Sequence, residues 1–168
     1  GEIVAMFQGK SEAGQRALGN RSLLFDPRVK NGRDIVNQIK LRESFRPFAG
    51  TVLLEDANEW FDMRGLGDCS YMQYAVNVRK SGIDAVVHVD NTCRVQTVTR
   101  RQNKHFYNLI KAFKNKTKVP ILLNTSFNLG GEPLVETFDD AIRTLKKSDI
   151  NYLYLPEIKS LITVHKAY

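Results

Sequence analysis

The stretch VPILLNTSFNLGGEPLV, residues 119–135, constrains this chain more than any other. It begins as a short apolar run with the length and composition of a buried strand. It then turns polar at Asn124, Thr125, Ser126 and Asn128, and Gly130 and Gly131 follow. Along an extended backbone Asn124, Ser126 and Asn128 share one side, so they are placed to line one wall of a pocket. Amides and a hydroxyl can donate to phosphate oxygens and can also read a planar –CO–NH₂ group. Glycines at 130 and 131 permit a sharp turn or a close approach of the backbone to a ligand. Taken alone, the segment fits an Asn/Ser-rich turn at a strand end equally well.

Around this strand, short extended and helical patterns are interspersed. IVAMF (3–7), TVLLE (51–55), SYMQYAVNVRK (70–80), AVVHV (85–89), TCRVQTVT (92–99), NYLYL (151–155) and SLITVH (160–165) read as strands. Asp90-Asn91 reads as a hairpin turn between AVVHV and TCRVQTVT, with Arg94 and Gln96 on one face of the second strand. SEAGQRAL (11–18) reads as helix-like with Gly19 as its stop. RDIVNQIK has Ile35, Val36 and Ile39 on one helical face, and residues 102–115 carry Phe106, Leu109, Ile110 and Phe113 at helical spacing. TFDDAIRTLKKS opens with a Thr137–Asp140 capping box. The pattern predicts an α/β (α+β) fold, a mixed open sheet with one layer of helices packed on it.

At 168 residues, with 42% hydrophobic and 26% charged residues, the chain suits one soluble domain spanning 1–168. No apolar run reaches the roughly 18 residues of a membrane span, and the N-terminus has no secretory pattern. The chain starts at Gly1 directly in a strand, as expected of a domain cut from a longer protein. Cys69 and Cys93 form no C-x-x-C pair, and His88, His105 and His165 show no metal-ligand spacing. No protein-built metal site is expected, and a reducing cytoplasmic setting is.

A net charge of +7 points to anionic partners. KAFKNKTK (111–118) is a surface-like basic run, but other cations sit among apolar or Gly-rich residues and need a partner there. GKSEAGQRALGNRS (9–22) places Arg16, Asn20 and Arg21 close to flexible backbone, a combination suited to phosphate, though without the spacing of a P-loop. In IKLRESFRPFAG (39–50), Lys40, Arg42 and Arg46 share parity, so an extended backbone would put all three on one face with Glu43 on the other. A helix there would make Arg42 and Arg46 mutually repelling neighbours unless an anion sat between them.

Read in order, GKSEAGQRALGNRSLLFDPR, IKLRESFRPFAG, VDNTCRVQTV, RQNKHFYNLIKAF and VPILLNTSFNLGGEPLV resemble the C-terminal half of the O-carbamoyltransferases of nodulation-factor and antibiotic biosynthesis. The resemblance implies a YrdC-like twisted sheet with a basic concave surface that makes carbamoyl adenylate from carbamoyl phosphate and ATP, releasing pyrophosphate. It further implies Mg²⁺ arriving with ATP, an N-terminal actin-like ATPase-type domain or subunit as partner, and transfer to an acceptor hydroxyl compound. Carried across by motif, Lys40, Arg46 and Arg94 are the catalytic cations. Asn124, Ser126 and Asn128 hold carbamoyl phosphate, and Arg16, Asn20, Arg21 and Arg42 lie nearer the nucleotide. Departures from the family pattern are Lys10 for Arg, Gln15 and Gly50 for Pro, and Asn91 and Cys93 for small residues. None removes an assigned cation.

Two other readings accompany this one. The first is threonylcarbamoyl-adenylate synthesis, the chemistry of YrdC-type proteins themselves. The second is a basic RNA-binding module, which is disfavoured because no RNP-type aromatic motif, zinc finger or basic helix is present.

Overall fold

In the computed structural model, which describes residues 1–14 and 16–164, a single eight-stranded mixed sheet organises the chain. The strands are β1 (Val4–Phe7), β2 (Arg21–Phe25), β3 (Ala49–Leu53), β4 (Ala75–Asn77), β5 (Thr92–Val98), β6 (Ile121–Ser126), β7 (Tyr152–Leu155) and β8 (Ser160–Thr163). Their spatial order is β4-β5-β3-β6-β2-β1-β7-β8, with β3/β5 and β1/β7 parallel and the other pairs antiparallel. Four helices accompany it: α1 (Gly32–Ile39), α2 (Ala57–Trp60), α3 (Lys104–Thr117) and α4 (Phe138–Lys147).

The expected mixed α/β sheet is present, but the helices cover both faces rather than one. Val52, Val95, Ile121 and Leu123 pack with Val36 of α1, Ala57 and Trp60 of α2, and Ala141 and Leu145 of α4. Leu53, Val98, Leu122 and Leu24, of opposite parity, pack instead under Phe106 and Ile110 of α3. β6 is therefore apolar on both faces over 121–123, because both are covered. The helix starts follow local rules. Asn103 accepts from the Phe106 amide at 3.1 Å to cap α3, and Thr137 and Asp140 form the predicted capping box at α4.

Three expected elements differ. Residues 8–20 contain no helix among those described. The Glu12 carboxylate accepts from the amides of Leu18 (2.7 Å), Asn20 (2.7 Å) and Arg21 (3.1 Å), so a side chain satisfies groups that helical carbonyls would otherwise have taken. Gly19 does not stop a helix. It has φ +111°, and a Cβ there would lie 2.3 Å from the Phe106 ring. AVVHV is not a strand either: Asp84–Val86 forms a 3-10 turn and Val89 is fully exposed. The antiparallel neighbour of β5 is β4, although Asn91 does adopt the expected positive φ. Within SYMQYAVNVRK only Ala75–Asn77 is strand, Met72 has φ +57°, and Tyr74 is exposed while Met72 and Val76 are buried. The stretch SLITVH is strand over Ser160–Thr163, and its His165 lies outside the described residues.

Candidate active site

The sheet face beneath α3 is apolar at one end and polar at the other. Along that face Leu53 gives way to Thr51 and Ala49, Val98 to Gln96 and Arg94, and Leu122 to Asn124 and Ser126. The polar ends of β3, β5 and β6 lie side by side, with Ala49 paired to both Arg94 and Asn124. They border a cleft of about 700 Å³, completed by residues 38, 40–43, 46–48 and 128–131 and by Arg16, Ala17 and Met72.

Eight of the ten residues singled out from the sequence line this cleft: Arg16, Lys40, Arg42, Arg46, Arg94, Asn124, Ser126 and Asn128. Lys40 caps the end of α1 and Leu41 then takes φ +54°, so the segment continues neither as helix nor as strand. Glu43 accordingly does not face away: it lines the cleft and accepts from Arg46 Nε at 2.8 Å. Buried Asn37 accepts from Arg42 Nε at 2.6 Å and donates to the carbonyls of Ser44 and Arg46, both at 3.0 Å. One amide thereby shapes the whole 42–46 loop. The Arg42 guanidinium lies 4.4 Å over the Phe48 ring.

Asn20 and Arg21 do not line the cleft. The Arg21 guanidinium is buried among main-chain oxygens, donating to Gln8 (2.7 Å), Gly9 (3.1 Å), Asn20 (3.2 Å) and Glu136 (3.0 Å), and it stacks 3.6 Å from the Phe7 ring. Asn20 donates to the Lys10 carbonyl and accepts from Asn103. Both side chains are committed to holding the 8–21 segment, for which their flanking glycines gave no warning. Nor does Gly130 open a path to a ligand. A Cβ there would sit 2.5 Å from the Leu41 carbonyl oxygen, because Gly130 N donates to the Lys40 carbonyl at 2.6 Å.

Lys40 is 2% exposed. Its ammonium donates to the Ser126 carbonyl, to the Asn128 carbonyl at 2.7 Å and to Asn128 Oδ1 at 3.0 Å, and among the described residues no carboxylate forms an ion pair with it. Burial, helped by the nearby Arg42 charge, pulls its pKa down to about 7. Burial and then Arg46 bring Arg42 down to about 10, with Glu43 opposing. Arg94 is lowered by burial and then by Arg16. Neither Arg16 nor Arg94 has a carboxylate partner among the described residues. Five basic residues thus line the cleft, with Glu43 the single acid among the described residues that line it. Such a site stores unfavourable charge that an anion relieves.

Two buried residues that the sequence did not single out as site residues, Thr51 and Gln96, support the cleft from behind. Thr51 Oγ1 donates to Gln96 Oε1 at 2.6 Å, Asn124 Nδ2 donates to the same atom at 2.8 Å, and Gln96 Nε2 donates to the Leu18 carbonyl at 3.1 Å. Asn124 Nδ2 also donates to the Ala17 carbonyl at 3.2 Å, while its Oδ1 is buried with no partner. Asn124 therefore offers no free N–H to ligand oxygens. Within their own strands Gln96 shares parity with Arg94 and Asn124 with Ser126, which was the available signal; the register that sets Thr51 beside them was not legible.

Residues 1–161 match the family model described as Carbamoyltransferase C-terminus. The chain belongs to this family. It is 46% identical over 158 residues to the nodulation protein NolO of Bradyrhizobium diazoefficiens, covering 91% of this chain and 29% of NolO. It is 42% identical over 143 residues to the 3'-hydroxymethylcephem-O-carbamoyltransferase of Amycolatopsis lactamdurans, covering 84% of this chain and 27% of that protein. The chain thus spans less than a third of the length of these relatives. Among solved structures, full-length HypF in its phosphate- and nucleotide-bound form superposes with a TM-score of 0.57 at 16% identity, over 89% of this chain and 18% of HypF. The YrdC-like α/β fold is shared with that segment. Among the described residues no helix is long and apolar enough to cross a membrane, and no group of three or more His, Cys, Asp or Glu is placed to hold a metal.

Proposed function

We propose that this chain is the carbamoyl-adenylate-forming domain of an O-carbamoyltransferase. The observation that carries the reading is the cleft of five cations against one carboxylate, in a chain of the carbamoyltransferase family. A polyphosphate and a carbamoyl phosphate in one site bring several negative charges, and this cleft supplies the compensation. In the reaction proposed, water cleaves carbamoyl phosphate to carbamate and phosphate. A carbamate oxygen then attacks the α-phosphorus of ATP, and pyrophosphate leaves. Arg46 and Arg42 hold phosphate at one end of the cleft, with Lys40 supplying charge from beneath through the 126–128 backbone. Arg94 and Arg16 hold the polyphosphate at the other. Charge that builds on the transferring phosphorus is met by donors already in place. Among the described residues the one carboxylate that lines the cleft is paired to Arg46, so Mg²⁺ enters bound to ATP.

The remaining steps belong to the rest of a longer assembly: an N-terminal transferase domain or subunit receives the carbamoyl group and passes it to an acceptor hydroxyl. A reducing cytoplasmic setting is consistent with two buried, unbridged cysteines, Cys69 and Cys93.

The test is pyrophosphate release from ATP and Mg²⁺ with and without carbamoyl phosphate. Release that requires carbamoyl phosphate, and that Arg46→Ala and Arg94→Ala abolish, is the expected result. Replacing carbamoyl phosphate with threonine and bicarbonate tests threonylcarbamoyl-adenylate synthesis. Turnover in that mixture alone overturns the proposal.

A further inference from the structure

Arg16 and Arg94 line the same cleft, the charge of one acts on the other, and neither has a carboxylate partner among the described residues; the two stand on segments with very different supports. Arg94 is fixed in β5. Arg16 sits in a segment with no regular structure, so nothing in its own backbone opposes the repulsion between the two guanidiniums. What opposes it is a buried hydrogen-bond chain one residue away. Gln96 Nε2 grips the Leu18 carbonyl and Asn124 Nδ2 grips the Ala17 carbonyl. The two amides are locked together through Gln96 Oε1, which Thr51 Oγ1 also donates to.

The orientation of both amides is determined by this chain. Backbone carbonyls only accept, so Nε2 and Nδ2 must be the atoms facing Leu18 and Ala17. Flipping either amide would set oxygen against oxygen at one end of the chain. From the other side, the Glu12 carboxylate holds the amides of Leu18 and Asn20. Every contact lies on the residues after Arg16, and none touches the Lys40 end of the cleft.

We infer that Gln96, with Thr51 and Asn124 behind it, is a positioning residue that holds Arg16 against Arg94 so that the pair forms a preorganised clamp for a diphosphate. This rests on the reading of the cleft as a phosphate site, and it assigns the nucleotide end of that site to β5 and the 16–18 segment. Preorganisation matters because the cost of bringing two like charges together is then met by folding and not by the ligand.

The experiment is a double-mutant cycle read by calorimetric binding of inorganic pyrophosphate to the full chain, using wild type, Gln96→Leu, Arg16→Ala and the double variant. Gln96→Leu is expected to weaken pyrophosphate binding about tenfold in the wild-type background and less than twofold when Arg16 is absent. Thr51→Val, which removes the hydroxyl that donates to Gln96 and accepts from Asn124 Nδ2, gives a smaller loss with the same dependence on Arg16. It serves as the second arm if Gln96→Leu does not fold. Equal losses in both backgrounds mean that Gln96 acts on the fold generally and overturn the inference while leaving the cleft reading intact. Absence of an Arg16→Ala effect in a protein that binds pyrophosphate also overturns the clamp alone. Absence of pyrophosphate binding in wild type overturns both.

Discussion

The Nζ of Lys40 lies 2.7 Å from the main-chain oxygen of Asn128, joining the end of α1 to the segment that leaves β6. With the Ser126 carbonyl, Asn128 Oδ1 and, at 3.4 Å, Ser126 Oγ, four oxygens surround the three ammonium hydrogens. The lysine therefore ties the cleft wall together and charges it from behind, while Arg42 and Arg46 line the cleft from the loop that follows.

Lys40→Met keeps most of the side-chain volume and removes both the charge and the clamp. Carbamoyl-phosphate-dependent pyrophosphate release is expected to fall roughly a hundredfold or more. The orphaned carbonyls are expected to cost about 1–3 kcal/mol of stability. Steady-state kinetics and urea unfolding of the same samples check both numbers.

The depressed pKa of Lys40, about 7 in the folded chain against an ordinary value near 10.5, has two consequences of opposite sign. Below about pH 7 the ammonium is present in the folded state, and an anion can exploit it. Above that the charge is lost, and anion affinity drops by up to about tenfold per pH unit. Stability of the ligand-free chain moves the other way. Between about pH 7 and 10.5 the unfolded state binds the extra proton, so the contribution of this group to stability grows as pH rises through that window. Sulfate, whose own charge is constant there, is the probe to titrate. The affinity step should vanish in Lys40→Met.

Gly130→Ala places a methyl 2.5 Å from the Leu41 carbonyl oxygen, and both partners are backbone. The clash forces α1 and the 128–131 segment apart. A loss of about 1–3 kcal/mol is expected by urea unfolding, together with weaker sulfate binding. Gly131→Ala meets no atom within 4 Å and carries only the strain of φ +78°. It should cost less stability and spare binding.

Arg21→Met separates structure from function. Four main-chain acceptors and the Phe7 ring lose their cation, so thermal unfolding should occur several degrees lower, with a loss on the order of 2–4 kcal/mol. Pyrophosphate affinity at a temperature where the variant is folded should match wild type. A large loss of affinity there would return Arg21 to the nucleotide site.

The sequence by itself did not show β2, whose five residues are all buried, but it determined that β6 is a buried strand, that α3 and α4 form, and which cations are out of place for a solvated surface. These are local matters: an apolar run on β6, the i, i+3, i+4 stripe of α3, and the Thr137–Asp140 capping box each act within one stretch of chain. Only the tertiary structure decided what the cations do. Arg16 and Arg21 have the same chemistry and stand five positions apart, yet one faces the cleft and the other is enclosed by carbonyls of residues 8, 9, 20 and 136. The reason is that the 8–20 segment follows no repeating backbone geometry. Its path is dictated by side chains that reach it from Glu12, Gln96, Asn103 and Asn124, and that network exists only once β3, β5 and β6 are side by side.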